Sequence, residues 1–165
     1  MERGADLTNN KCFECGEESP QWISVNNGIY ICLNCAGTHR GFGVQVSFVR
    51  SLEMDNISDI QKKMLRYGGN RQFNEFLKLY RLEHEPLETR YFTKACQLYR
   101  DRLKQMAELN EVFIFSKDLH TTLTLEEGKQ SIYGIRASYM FNDNFASARI
   151  FQRDTYGSSG TPGLG

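Results

Sequence analysis

This chain of 165 residues lacks a net charge, since twenty Lys and Arg stand against twenty Asp and Glu. No overall field therefore draws it to nucleic acid or to an anionic membrane. Prolines number three, and with 40% hydrophobic and 24% charged residues the composition is that of a packed domain rather than a disordered segment. No run of about 18 apolar residues is present to cross a bilayer as a helix. The opening MERGADLTNN has no apolar stretch behind basic residues, so it does not read as a secretory signal. The expected compartment is the reducing cytosol or nucleus, and five cysteines are too few for a disulfide scaffold. The closing GSSGTPGLG is low in complexity and reads as a linker or chain boundary.

What is present is concentrated near the start. Four of the five cysteines form the pattern Cys12-x2-Cys15-x16-Cys32-x2-Cys35, the spacing of a four-cysteine zinc site. Each Cys-x-x-Cys turn offers two sulfurs to one point, and the segment between the pairs is long enough to fold back and join them. Four thiolates close the shell and leave no position for water or substrate, so a structural zinc ion is expected. Two disulfides or redox dithiols are disfavoured in a reducing compartment, while a rubredoxin-like iron site is not separated from zinc by ligand softness alone. His39, four residues past Cys35, is expected at the surface or beside the ligands rather than among them. Cys96 falls on the apolar stripe of a helical pattern and reads as a buried, inert thiol. A metal module of this kind suits a nucleic-acid ribbon, a protein-interaction module or an enzyme scaffold, and the charge balance weighs against the first.

The periodicity predicts an α+β fold, with a small three-stranded sheet surrounded by several helices. Trp22 to Val25 and Ile29 to Ile31 read as strands joined by Asn26-Asn27-Gly28, a turn suited to positive φ. A short helix is expected over Leu33 to Arg40, stopped by Gly41 and Gly43. Val44, Val46 and Phe48 alternate like a half-buried third strand. Ile57, Ile60, Met64 and Leu65 mark a helix begun by Asp55 or Asn56 and ended by Gly68-Gly69. Further helices are expected over Arg71 to Leu82 and, after Pro86, over Glu88 to Leu109. Beyond Asn110 the pattern weakens: Val112 to Phe115 reads as a strand or docked extension, and Thr121 to Leu125 as another strand.

The stretch Cys32-Leu-Asn-Cys35-Ala-Gly-Thr-His39-Arg40-Gly-Phe-Gly43-Val44 resembles the signature of the Arf GTPase-activating proteins. That family has two Cys-x-x-Cys pairs and an arginine five positions after the last cysteine. Pro20-Gln21-Trp22, Gly28 to Cys32, Ser47 to Leu52, Met54-Asp55 and Gly68-Gly69-Asn70 with Phe73 and Phe76 look like family landmarks in family order. The resemblance covers about residues 6–108 and is nearest, in His39 to Gly43 and Ser47 to Ser51, to the Golgi-type subfamily. Gln45 stands where members usually carry His, and Ile57 where a Trp is frequent; both departures bear on how the surface meets its GTPase.

The resemblance implies a catalytic domain over residues 1–118, with its zinc finger at 12–35, and a tail or linker over 119–165. It implies an activator rather than an enzyme in its own right, one that supplies Arg40 in trans to a GTP-bound Arf-family GTPase during vesicle coat cycles. No phosphate-binding loop of the G-x-x-x-x-G-K-[ST] type occurs in the chain. Without the resemblance, Arg40 would read as a solvated arginine between helix and glycine. Trp22 is either packing on the metal knuckle or a landmark of the catalytic face, Asp55 either a helix cap or a catalytic-surface residue, and Arg50 a GTPase contact in preference to a solvated charge. Ile31 reads as hairpin core. Expected partners are the GTPase and coat proteins, with no nucleic acid, and the expected location is cytoplasmic at Golgi membranes. The competing functions are a non-catalytic module that binds a small GTPase and, behind it, a nucleic-acid binder. Ile132, Ile135, Tyr139 and Met140 in the tail form one apolar side of a helical pattern, expected either to touch a membrane peripherally or to pack on the domain.

Overall fold

Asn26-Asn27-Gly28 turns the chain because Gly28 adopts φ +63, and the two flanking runs pair as an antiparallel hairpin. In the computed structural model, which describes residues 3–111 and 123–133, β1 spans Trp22–Ser24 and β2 spans Ile29–Ile31. A third strand, β3 at Val49–Ser51, lies on the other edge of β1, giving the order β2-β1-β3. In this register Trp22 faces Ile31 on one side and Ser51 on the other. The expected three-stranded sheet with surrounding helices is the observed architecture.

The third strand begins later than the alternation of Val44, Val46 and Phe48 suggests. Val44 is exposed and lies in a turn in which Val46 and Ser47 both donate to the Gly43 carbonyl. The Asn26 side chain replaces the strand ladder here, donating to the carbonyl of Gln45 and accepting from Phe48 N–H at 2.8 Å.

Among the described residues, six α-helices follow the sequence patterns closely where local capping decides and less closely where distant partners do. α1 is Leu33–Arg40, as expected. α2 is Asp59–Tyr67 and starts at Ser58, which forms a reciprocal capping box with Gln61. Asp55 is therefore not the cap: its carboxylate accepts from Ser51 N–H at 2.7 Å and pairs with Arg50. α3 is Asn70–Leu79. The long helix expected over Glu88 to Leu109 is broken into α4, Leu87–Arg90, and α5, Lys94–Leu109, with Thr93 capping the second. The break is satisfied from afar, since Lys94 N–H donates to the Gln130 carbonyl and Ile132 N–H to the Phe92 carbonyl.

Residues 123–133 pack on this body although they lie beyond the expected boundary at residue 118, which itself falls outside the described residues. α6 spans Leu125–Lys129 and is capped by Thr124; of the strand expected over Thr121 to Leu125, the first two residues lie outside the described ones and the last opens this helix. Ser131 bridges to Thr93, and Tyr80 donates its hydroxyl to the Leu123 carbonyl at 3.0 Å. Ile132 thus packs on the domain. The other tail positions of the apolar pattern (Ile135, Tyr139 and Met140), the Val112 to Phe115 segment and the closing GSSGTPGLG lie outside the described residues. No helix among the described residues is long and apolar enough to cross a membrane.

The core runs through both halves. Ile23, Ile29 and Ile31 of the sheet and Phe73, Leu77, Tyr99 and Leu103 of the helices are all fully enclosed. Ile31 is hairpin core, and Cys96 is buried among the helices, as expected. At the join, Gly28 meets Gly68 so closely that a Cβ on Gly28 would stand 2.8 Å from Leu103 and 3.1 Å from the Met64 carbonyl.

Candidate metal centre and the arginine beside it

The first cysteine pair lies on a tight knuckle. Gly16 N–H donates to the Cys12 carbonyl at 2.9 Å, and Phe13 N–H ties the turn to the Tyr30 carbonyl of β2 at 2.8 Å. The second pair opens α1: Cys32 is the N-cap, and its sulfur accepts from Cys35 N–H at 3.4 Å. β2 runs directly into that cap, so the hairpin carries one pair back to the other. The four sulfurs of Cys12, Cys15, Cys32 and Cys35 all lie within 4.8 Å of one another, with Cys15 and Cys32 at 3.6 Å.

That spacing fits a tetrahedral metal ion. With metal–sulfur bonds of about 2.3 Å, the sulfurs of a regular tetrahedron stand about 3.8 Å apart. Burial, followed by the neighbouring Cys32 and Cys12 sulfurs, pushes the Cys35 thiol up; a divalent cation among them reverses that preference, because a coordinating thiol is deprotonated. His39 is not a ligand and is not at the surface. It is fully buried and faces the knuckle from the last turn of α1.

Its partners were not visible in the sequence. His39 Nε2 lies 2.9 Å from Glu14 Oε1, and Nδ1 lies 2.7 Å from Ser47 Oγ. Glu14 sits between the first two cysteines with its side chain only 3% exposed. It also accepts from Arg90 Nη1 at 3.0 Å and from the Tyr91 hydroxyl. Burial works to raise the Glu14 carboxyl, but the His39 hydrogen bond and the His39 and Arg90 charges outweigh it and hold the carboxyl below its ordinary value. Burial and the Glu14 charge push Tyr91 well up. From Ser47 the chain of bonds continues through Ser24 and Asn27 to Arg100. The one local signal for this network is a carboxylate placed inside a Cys-x-x-Cys turn.

Arg40 occupies the C-terminal position of α1, exposed, one residue beyond buried His39. Its guanidinium lies over the Trp22 ring at 4.7 Å. Trp22 is half-buried against the domain core, and its ring lies beneath the Arg40 guanidinium. No described residue forms an ion pair with Arg40. Arg50 lies over Phe48 at 4.5 Å and pairs with Asp55 at 3.6 Å. Of the two sequence departures, Gln45 is exposed, whereas Ile57 is buried in the core and is not offered to a partner.

The family model described as "Putative GTPase activating protein for Arf" matches residues 2–108. Over 101 residues the chain is 39% identical to "ADP-ribosylation factor GTPase-activating protein 3" of Bos taurus, covering 61% of this chain and 20% of that protein. It is 37% identical over 101 residues to "ADP-ribosylation factor GTPase-activating protein GCS1" of Saccharomyces cerevisiae, covering 61% of this chain and 29% of that one. The fold resembles the crystal structure of a putative GTPase-activating protein for ADP ribosylation factor from Cryptosporidium parvum. The TM-score is 0.53 at 30% identity, over 64% of this chain and 82% of that one. The chain spans less than a third of the length of these curated relatives.

Proposed function

Because the chain belongs to the family of GTPase-activating proteins for Arf, matched over residues 2–108, we propose that it stimulates GTP hydrolysis by an Arf-type small GTPase. Arg40 is the group it supplies in trans. Hydrolysis spreads negative charge over the transferring phosphoryl group and the leaving oxygen, and a planar guanidinium placed there stabilises that charge. A finger of this kind contributes a rate factor of about 10³ to 10⁵, or roughly 4 to 7 kcal/mol off the barrier. The observation that carries the reading is the exposed Arg40, free of ion pairs to described residues and stacked on Trp22 at 4.7 Å. Stacking holds one face of the guanidinium while its N–H edges stay available.

The surface around it suits a protein partner. Leu33 shares a helix face with Arg40 at a seven-residue spacing and is 63% exposed, and Val44 just past the helix is 67% exposed. Trp22, Arg50 and Asp55 are assigned to the same contact, with the Arg50–Asp55 pair set in place beforehand by Ser51. Zinc is the proposed ion, held by Cys12, Cys15, Cys32 and Cys35. When bound, it supplies a cross-link between the knuckle and the start of α1 and no Lewis-acid chemistry, since four sulfurs close its shell. The chain is further proposed to act on the GTP-bound form, in the cytoplasm at Golgi membranes and within vesicle coat cycles. The Golgi-type wording of His39 to Gly43 and Ser47 to Ser51 supports that placement.

Single-turnover hydrolysis by a GTP-loaded Arf, with and without the chain, tests the reading. Arg40→Lys keeps the charge but loses the planar fork, and a loss of about 10³-fold or more in stimulation is expected. Full stimulation by Arg40→Lys would overturn the finger assignment. Capture of the GTPase without any stimulation by the unaltered chain would replace this reading with that of a binding module.

A further inference from the structure

α1 is a slight helix on which to mount a reactive side chain. It has eight residues, Gly37 among them, and buries only Ala36 and His39. A helix this short has little stability of its own, so the direction of Arg40 depends on what anchors its two ends. Cys32 and Cys35 tie the first turn to the sulfur cluster. The last turn has His39.

An apolar residue would serve if that position merely filled the core. Instead the ring is wedged between Phe42, at 5.2 Å, and Tyr91, at 4.7 Å between centroids. Both of its nitrogens are also engaged, Nε2 with Glu14 and Nδ1 with Ser47, on two separate segments. Two directional bonds and two flanking rings leave the imidazole no free rotation, and so define where the adjoining Cα stands. Glu14 is itself held by Arg90 and Tyr91. The anchor of the last turn therefore runs to α4 as well as to the knuckle.

We propose that His39, clamped by Glu14 and Ser47, is a positioning residue for Arg40, fixing the last turn of α1 so that the guanidinium is held over Trp22 in the direction of its target. The inference rests on the reading of Arg40 as the group that acts on the GTPase. A displacement of about 1 Å at a catalytic group costs on the order of 10²-fold in rate. Loosening this clamp should produce a loss of that size in the maximal stimulated rate and leave GTPase docking intact.

His39→Gln and Ser47→Ala, in the full metal-loaded chain, are the test variants; Ser47→Ala removes one partner of the ring and leaves the ring in place. The first readout needs no GTPase. Trp22 is the only tryptophan, so the ring-current shift of the Arg40 side-chain protons reports by NMR whether the guanidinium still lies over it. Expected is a diminished shift with metal content unchanged, a saturating rate about 10²-fold lower and an unchanged half-saturating concentration. In an Arg40→Lys background the same substitutions should change the rate by less than about twofold, because residues acting through one another are not additive. A retained ring-current shift in both variants would overturn the proposal, as would an undiminished loss in the Arg40→Lys background. If His39→Gln does not fold, Ser47→Ala decides. If the unaltered chain stimulates no GTPase, the functional reading fails, while the ring-current comparison still settles whether His39 sets Arg40.

Discussion

Glu14, whose side chain is only 3% exposed, receives three side-chain donors, from His39, Arg90 and Tyr91. Arg90 is only 10% exposed at its side chain, so the pair is a buried one. Removing one member of such a pair strands the other and costs about 3 to 5 kcal/mol. Glu14→Ala should therefore lower stability by that amount in urea unfolding of the metal-loaded chain, far more than a surface carboxylate would. At this scale the legibility of the sequence was uneven for a physical reason. The four clustered cysteines declare themselves because their spacing is local and their chemistry few-valued, whereas Arg40 is singled out only by the family resemblance. Glu14 and His39 find each other 25 positions apart, and neither residue carries a mark of its partner. Ile57 reads both as one of an apolar stripe and as a departure bearing on the GTPase surface, and it is a core residue just before α2.

Among the elements, α6 shows what a helix of five residues needs in order to exist. Its Thr124–Glu127 capping box is local, but its seat is a glycine: a Cβ on Gly128 would run into the ring of Tyr80. Gly128→Ala should cost about 1 to 3 kcal/mol by overpacking, and the loss should be confined to the docked segment. Faster hydrogen exchange at the Lys94 and Ile132 amides, which bond to Gln130 and Phe92 across that joint, would register it, with α1 and the sheet unaffected. The same joint explains why a single long helix was expected where two occur. Periodicity continues through Tyr91 and Phe92, but the backbone groups released at the break are satisfied by residues 130–132. The late start of β3 has a similar origin in the Asn26 side chain, 22 positions before Phe48. α1, whose stop at Gly41 and cap at Cys32 are both local, was legible to the residue.

For the molecule as a whole, the cysteines fall into two groups. Four are gathered where the knuckle meets the start of α1, with Cys15 exposed and Cys12 and Cys32 buried, and Cys96 is fully enclosed in α5, where burial pushes its thiol up. A strong chelator should release one ion and make four thiols reactive, and the fifth should react only after denaturant is added. A fifth thiol that reacts in the native, metal-loaded chain would contradict this structure. The fold class and the four-cysteine cluster could be read from the sequence because both rest on local periodicity and spacing. The extent of the packed unit could not, because residues 123–133 are joined to it through partners far upstream. Two arginines also join the cysteine-bearing half to the helices over long separations, Arg90 to Glu14 over 76 positions and Arg100 to Asn27 over 73. During synthesis both acceptors leave the ribosome long before their arginines are made. The metal-binding half must therefore wait, its buried carboxylate still hydrated, until α5 emerges, and the direction of translation sets the order in which this domain becomes able to act.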